Sequence, residues 1–180
     1  ITTAIASVVV IDTDAGLQGC GEFTPCGENY MVAHSEGVEA LLRLVAPSLL
    51  GEDPRQVGRI EALLDHLVQG HGYAKSPIDI ACWDLLGQSC GQPLWMLMGG
   101  KLTDGAPMYR VAPQKATDET VAEMQRYREQ GYRQFQIKVG SDWSGDIERI
   151  QTGVSLLKPG EKAMADANQG WRVDNAIRVA

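Results

Sequence analysis

The sequence lacks the features that mark membrane, exported and nucleic-acid-binding proteins. No apolar run approaches the roughly 18 residues that a membrane-spanning helix needs. No Lys- or Arg-led apolar segment precedes a small-residue cleavage site, so no signal peptide is recognisable. Basic residues are outnumbered, with 16 Lys and Arg against 23 Asp and Glu, which argues against a nucleic-acid partner. We therefore expect a cytoplasmic protein that acts without a membrane or a nucleic acid.

Cysteine is also scarce, with four residues at positions 20, 26, 82 and 90. None of them forms a CxxC pair, the usual sign of a redox or structural zinc site. A zinc site from Cys20, Cys26 and His34 is conceivable, but the spacing is irregular and no second close pair exists. Cys82 lies within an apolar helical pattern and is predicted to be a small core residue. Reduced thiols are therefore the default expectation.

The first part of the chain has the pattern of a mixed α+β unit. The segments TAIASVVVID and LQGCGE predict two strands of a hairpin, with TDAG as the turn. Three amphipathic helices are predicted to follow, beginning near Ser35, at Asp53–Pro54 and at Ser76–Pro77. A short helical turn, QPLWMLMGG, ends at two glycines. We predict that this unit covers residues 1–103.

From residue 104 the pattern changes to strands that alternate with helices. The predicted strands are APMYRVA, FQIKVG and KAMADAN, and each is followed by an amphipathic helical segment. This alternation is typical of a parallel α/β structure. Because a closed eight-stranded barrel takes about 250 residues, residues 104–180 form either a small open sheet or the first part of a barrel.

Polar residues end two neighbouring strands of this second unit. Lys138 ends FQIKVG, and Asp166 and Asn168 follow within KAMADAN. Adjacent parallel strands lie about 4.8 Å apart, and reacting groups in α/β barrels sit at the carboxyl ends of strands. The pattern is consistent with an acid–base and metal pair. It is equally consistent with surface charges on a non-catalytic α/β binding domain.

Four segments, in this order, resemble the mandelate racemase/muconate lactonizing enzyme group of the enolase superfamily. VVVIDTDAGLQGCGE resembles the N-terminal capping domain of that group, and GYAKSPIDIACWDLLGQSCGQPLWMLMGG resembles its signature. IKVG resembles its second-strand lysine motif, and DANQGW its third-strand metal motif. The resemblance implies an α+β capping domain, 1–103, followed by a modified TIM barrel. Residues 104–180 hold only the first strands of that barrel.

The resemblance also implies a reaction. Members remove the proton next to the carboxylate of a small-molecule substrate, through an enediolate, with Mg²⁺ and a Lys or His base; this pairing is known for the superfamily and is not deduced from this sequence. Matched by motif, Lys138 is the general acid/base and Asp166 the first metal ligand. Asn168 holds a substrate oxygen or orients a ligand. The remaining metal ligands and a second acid/base are expected beyond Ala180, in a longer, homo-oligomeric enzyme.

The substrate class is suggested by one residue that differs from the family pattern and by two loops. Many members have a second lysine two residues before the base, whereas this chain has Gln136. Together with the loops PCGENYMVAH and QGHGYAKS, this resembles hydroxyproline betaine 2-epimerases and cis-3-hydroxy-L-proline dehydratases. We therefore predict racemisation, epimerisation or dehydration of a proline-like or N-substituted amino acid, with Gln136, Tyr30, His34 and Tyr73 as substrate-binding candidates. Acid sugars and dipeptides are the rival substrates. The rival interpretations are that Tyr73 packs against the barrel and that His34 is an exposed helix-start residue.

Overall fold

The computed structural model describes residues 5–25, 31–112 and 117–180. The elements in chain order are β1 (Ser7–Asp12), β2 (Gln18–Phe23), α1 (Ser35–Leu49), α2 (Val57–Leu67), α3 (Gly72–Cys90), α4 (Leu94–Leu97), β3 (Tyr109–Ala112), α5 (Thr117–Glu129), β4 (Gln134–Lys138), α6 (Trp143–Ser155), β5 (Lys162–Asp166) and α7 (Val173–Val179). The chain divides into two compact units, residues 1–102 and 103–180. No helix in the described ranges is long and apolar enough to cross a membrane.

The first unit is built around close packing of a strand on a helix. β1 and β2 pair antiparallel, as the hairpin pattern predicts. Two glycines of β2 lie against α3: a Cβ built at Gly21 would be 1.9 Å from the carbonyl oxygen of Pro77, and one at Gly19 would be 2.4 Å from that of Ala81. Because any larger side chain would clash with the helix backbone, the GCG sequence is what allows β2 to lie directly on α3.

The core of this unit joins the three long helices. The apolar spacing of α1 buries Val38, Leu41 and Val45, as its period predicts. Cys82 is 1% exposed in the centre of α3, which confirms its predicted role as a core residue. The buried cluster consists of Val38, Leu41, Val45, Ile60, Leu64, Ala74, Ile78 and Cys82.

Two helix starts differ from the sequence prediction. α2 begins at Val57 rather than at Asp53–Pro54, because the Asp53 carboxylate bonds the backbone N–H and guanidinium of Arg55 and forms a separate turn. α3 begins at Gly72, one turn before the predicted cap at Ser76. Packing explains the extra turn: Ala74 is buried there, and the ammonium of Lys75 bonds Asp65 at 2.7 Å.

The second unit is a three-stranded parallel sheet in the order β3-β4-β5. One face of β4 carries Phe135 and Ile137. Phe135 packs in a cluster with Ala112 of β3 and Met124 of α5, and Ile137 lies against Gly153 of α6. The predicted alternation of strand and helix is therefore confirmed, with α5 and α6 covering the same face of the sheet.

A buried ion pair connects α5 to the start of β5. Arg128 and Glu161 form two hydrogen bonds, of 2.7 and 2.9 Å, and their side chains are only 11% and 2% exposed. The guanidinium, hydrogen-bonded to the carboxylate, lowers the pKa of Glu161 from 4.5 to about 2. Arg128 also donates to the carbonyl of Leu156, so the pair holds the segment that leads into β5.

Replacing Glu161 by glutamine should lower the free energy of unfolding at neutral pH by about 3 kcal/mol, because a buried guanidinium loses its partner. The folded pKa lies below the unfolded value, so the stabilisation is fully present above about pH 4.5 and is lost as pH falls toward 2. Denaturant unfolding of wild type and Glu161→Gln should therefore differ most at neutral pH and converge in acid. Glu129→Gln, at an exposed position of α5, is the matched control and should change little. A difference that grew in acid would contradict this assignment.

Candidate active site

β4 is buried on both faces. Phe135 and Ile137 on one face are 0% and 1% exposed, and Gln136 on the other is 8% exposed. Lys138 shares the face of Gln136, because side chains alternate along a strand. The polar positions of FQIKVG therefore do not form a water-facing surface. This is the arrangement expected for a strand of an α/β barrel, and it places Lys138 in a partly enclosed site.

The register brings the predicted pair together. Lys138 is the Cα partner of Asp166, and each is the last residue of its strand. The Nζ atom of Lys138 lies 2.7 Å from Oδ2 of Asp166 and 2.5 Å from Oδ1 of Asn168. The side chains of Lys138 and Asp166 are 28% and 27% exposed. A charge-assisted pair thus forms at the carboxyl edge of the sheet, open enough to meet a small molecule.

The Asp166 carboxylate is held in its ionised form. The ammonium of Lys138 lowers the pKa of Asp166, and the backbone N–H of Asn168, which donates to Oδ1 at 2.9 Å, adds to the effect. This local contact is an Asx turn, and it places Asn168 at a positive φ of 45°. The turn directs the amide oxygen of Asn168 toward the same ammonium.

The loops after β4 and β5 contact each other directly. Gly140 has a φ of 107°, and a Cβ at this residue would lie 2.4 Å from the carbonyl oxygen of Ala167. The backbone N–H of Val139 donates to the carbonyl of Asp166 at 3.1 Å. Glycine after the KV pair is therefore needed for the close approach, which fixes the two strand ends side by side.

The donors at this edge fit Mg²⁺ chemically but provide only part of a site. Asp166 and Asn168 offer carboxylate and amide oxygens, which a hard cation prefers. Among the described residues, no group of three His, Cys, Asp or Glu side chains could hold a metal ion. Mg²⁺ requires near-octahedral oxygen coordination and usually retains several waters. The described residues thus offer oxygen donors of the kind that Mg²⁺ prefers, without a complete metal site.

The candidates of the first unit have local partners in the structure. His34 is the N-cap of α1: its Nδ1 accepts the backbone N–H of Gly37 at 3.1 Å, and the side chain is exposed. Tyr73, in the first turn of α3, bonds Nδ1 of His71 through its hydroxyl at 2.7 Å and packs near the ring of Phe23. Tyr30 lies outside the described residues. The exposed helix-start position predicted as the alternative for His34 is present, whereas the ring of Tyr73 packs within its own unit.

One residue close to the site was missed by sequence reasoning. The helical period of GDIERIQTGVSLLKPG predicts a buried face made of Ile147, Ile150, Val154 and Leu157. Val154 is instead 52% exposed, and Asp146 is fully buried. Helical period alone cannot identify a buried aspartate. The available signal is that DWSGD places two aspartates at one helix start, where Asp142 already serves as the N-cap.

Comparison with known families agrees with this architecture. Residues 1–99 match the model of the mandelate racemase/muconate lactonizing enzyme N-terminal domain. The chain belongs to this family. Residues 119–180 match the model described as enolase C-terminal domain-like. The family resemblance and the predicted fold class are confirmed: an N-terminal capping domain is followed by the first strands of the barrel domain.

Three members of the family illustrate how similar this chain is to known proteins. Cis-3-hydroxy-L-proline dehydratase from Roseibium aggregatum is 44% identical over 174 residues, which are 97% of this chain and 47% of that protein. A crystal structure of a mandelate racemase/muconate lactonizing enzyme from Roseovarius nubinhibens ISM is 76% identical with a TM-score of 0.91, covering 98% of this chain and 49% of that one. A member of the enolase superfamily from Roseovarius nubinhibens ISM, solved in complex with magnesium, is 38% identical with a TM-score of 0.91, covering 97% and 48%. The chain spans about half the length of these relatives.

Proposed function

We propose that the full-length protein removes the proton α to the carboxylate of a proline-like or N-substituted amino acid, giving racemisation, epimerisation or dehydration. The observation that carries the proposal is the position of the Lys138 ammonium between Asp166 and Asn168, at adjoining strand ends. A base and the group that stabilises negative charge must both lie within reach of the same substrate. Adjoining strand ends that carry a lysine and a carboxylate meet this requirement. The similarity to a cis-3-hydroxy-L-proline dehydratase supports the choice of substrate class.

Lys138 acts in this proposal as the group that carries the proton. In its neutral form the amine takes the α-hydrogen as H⁺, so an N–H bond forms while the C–H bond breaks and the electron pair stays on the substrate. Return of a proton on the opposite face inverts the centre, whereas departure of a β-hydroxyl with a proton releases water. One shared abstraction step thus serves both outcomes, and the substrate decides between them.

Asp166 is proposed to hold Mg²⁺, with Asn168 orienting the bound groups. The ion supplies positive charge that stabilises the negative charge developing on the substrate carboxylate. The ionised state and partial exposure of Asp166 suit it to this role. Gln136 lies two residues before Lys138 and on the same face of β4. It adds hydrogen-bonding capacity without charge, and we propose that it contacts the substrate.

The first unit is proposed to contribute to substrate choice. The family resemblance gives this role to the loops that contain Tyr30 and His34 and to the segment that contains Tyr73. A tyrosine ring facing a cationic amine stabilises it by about 0.5–2 kcal/mol, which suits a betaine or an amino acid. We also propose that the protein is a homo-oligomer, as the family resemblance implies, and that it is cytoplasmic, where its few cysteines would stay reduced.

A deuterium exchange panel tests this function. The full-length protein with Mg²⁺ in D₂O should remove the α-hydrogen of proline betaines, with deuterium incorporation, or of cis-3-hydroxy-L-proline, with deuterium incorporation or release of water. The kcat/KM should be higher than for dipeptides or acid sugars. Proton NMR measures the loss of the α-hydrogen signal. Faster exchange with a dipeptide or an acid sugar would replace the proposed substrate class. Absence of exchange with every carboxylate in the panel would favour a non-catalytic binding protein.

A further inference from the structure

Asp146 is a buried charge that the proposed chemistry does not use. It lies in the first turn of α6, and its side chain is 0% exposed. Aspartate is rarely buried unless it is paired and hydrogen-bonded, because the desolvation of a carboxylate is costly. Its retention inside the second unit therefore indicates a specific role for its contacts.

The contacts of Asp146 reach both loops of the candidate site. Oδ2 accepts the backbone N–H of Gly140 and the indole Nε1–H of Trp171, each at 2.8 Å. Oδ1 accepts from Nη1 of Arg149, one turn along the same helix, at 2.6 Å. The two carboxylate oxygens thus have different partners. Oδ2 connects two loops, and Oδ1 pairs with an arginine of the same helix.

The two loop contacts flank the reacting groups. Gly140 is two residues after Lys138, and Trp171 is three residues after Asn168. A single oxygen atom therefore connects the loop that follows the proposed base to the loop that follows the proposed metal ligand. The hydrogen bonds of Asp146 in the described residues do not include Lys138 or Asp166, so Asp146 acts on them through Gly140 and Trp171.

We propose that Asp146 is a positioning residue that fixes the end of β4 against the end of β5, and thereby sets the separation of Lys138 from Asp166 and Asn168. Its catalytic consequence rests on the proposed function, whereas its geometric consequence does not. A misplacement of about 1 Å costs roughly 10²-fold in rate when reacting groups must be aligned. Groups that orient metal ligands typically change metal affinity by about 10–100-fold.

Four variants of the full-length protein separate positioning from general stabilisation. Asp146→Ala removes the connection between the loops, and Asp146→Asn retains one oxygen that can accept from Gly140 and Trp171. Trp171→Phe removes only the indole donor. Arg149→Met is the matched control, because it removes the partner of Oδ1 and leaves both loop contacts intact.

Hydrogen–deuterium exchange of the protein itself tests the geometry without turnover. Asp146→Ala should raise amide exchange selectively in peptides covering residues 138–141 and 166–171. Arg149→Met breaks a buried ion pair and lowers stability, so it should raise exchange in these two peptides no more than elsewhere in the second unit. Magnesium titration by calorimetry should show affinity about tenfold weaker in Asp146→Ala. Equal perturbation of the two loops in Arg149→Met, or no change in Asp146→Ala, would overturn the proposal.

Steady-state kinetics then tests the consequence for the reaction. Asp146→Ala should lower kcat about 10²-fold with KM changed less than about threefold, and Asp146→Asn should recover most of the loss. Trp171→Phe should lower kcat more than Arg149→Met does. This comparison tests the proposal even if Asp146→Ala does not fold. If the fall in kcat matched the loss of folded protein in all four variants, the positioning role would be contradicted. If wild type exchanges no substrate, the proposed function fails, and the loop-exchange result alone decides the role of Asp146.

Discussion

Replacing Lys138 by methionine should lower the rate of α-proton exchange by about 10²–10⁴-fold, the usual contribution of a positioned acid or base. Methionine keeps the length and apolar stem of lysine but cannot accept or release a proton. Lys138→Arg should not restore exchange, because a guanidinium remains protonated at neutral pH. The measurement is α-hydrogen loss in D₂O, followed by NMR for both variants and wild type.

The matched control for this experiment is Lys162→Met. Lys162 is the first residue of β5 and Asp166 the last, so Lys162 lies at the end of that strand away from the candidate site. Its ammonium is exposed, and removal of the same charge there should leave exchange near the wild-type rate. Exchange at the wild-type rate in Lys138→Met would remove Lys138 from the mechanism, whatever the substrate.

Replacing Asp166 by asparagine should weaken Mg²⁺ binding by more than about 100-fold, beyond the range seen when only orienting groups are lost. Asparagine retains a carbonyl oxygen that can accept the N–H of Asn168, so the Asx turn is preserved. The lost feature is the negative charge that pairs with Lys138 and that we propose binds the metal. Calorimetric titration with Mg²⁺ measures the effect directly, and exchange of substrate should fall with it.

Asp174→Asn provides the comparison for Asp166. Asp174 lies in the first turn of α7, is exposed, and pairs with Arg172 at 3.4 Å. Loss of that charge should leave Mg²⁺ affinity near wild type, because surface pairs contribute little. Equal Mg²⁺ affinity in Asp166→Asn and wild type would place the metal elsewhere in the protein.

Much of the fold follows from local patterns in the sequence. The periods of two and 3.6 residues predict the strands and helices of both units, because one face of each element must be buried. The helix starts at Asp53 and Ser76 were wrong, since good capping residues were outweighed by a local turn in one case and by packing of Ala74 in the other. Cap signals mark possible ends, and tertiary contacts choose among them.

The site was predictable to the extent that topology alone determines it. The rule that parallel strand ends share an edge predicts that Lys138 and Asp166 meet, and the register confirms that they do. The contact between Gly140 and Ala167 was not predictable, because it depends on loop conformations. The role of Asp146 was hidden for a related reason: its contacts with Gly140 and Trp171 depend on how two loops fold, and a charged residue is expected at the surface.

A crystal structure of the full-length protein with Mg²⁺ and an unreactive analogue of a proline-like carboxylate tests the central claim most directly. We predict that Asp166 is a metal ligand and that Nζ of Lys138 lies about 3–3.5 Å from the α-carbon, the separation of a reactive geometry. In that complex the Lys138–Asp166 contact of 2.7 Å should have lengthened, as the carboxylate turns to the metal. A metal bound without Asp166, or a substrate α-carbon out of reach of Lys138, would contradict the account.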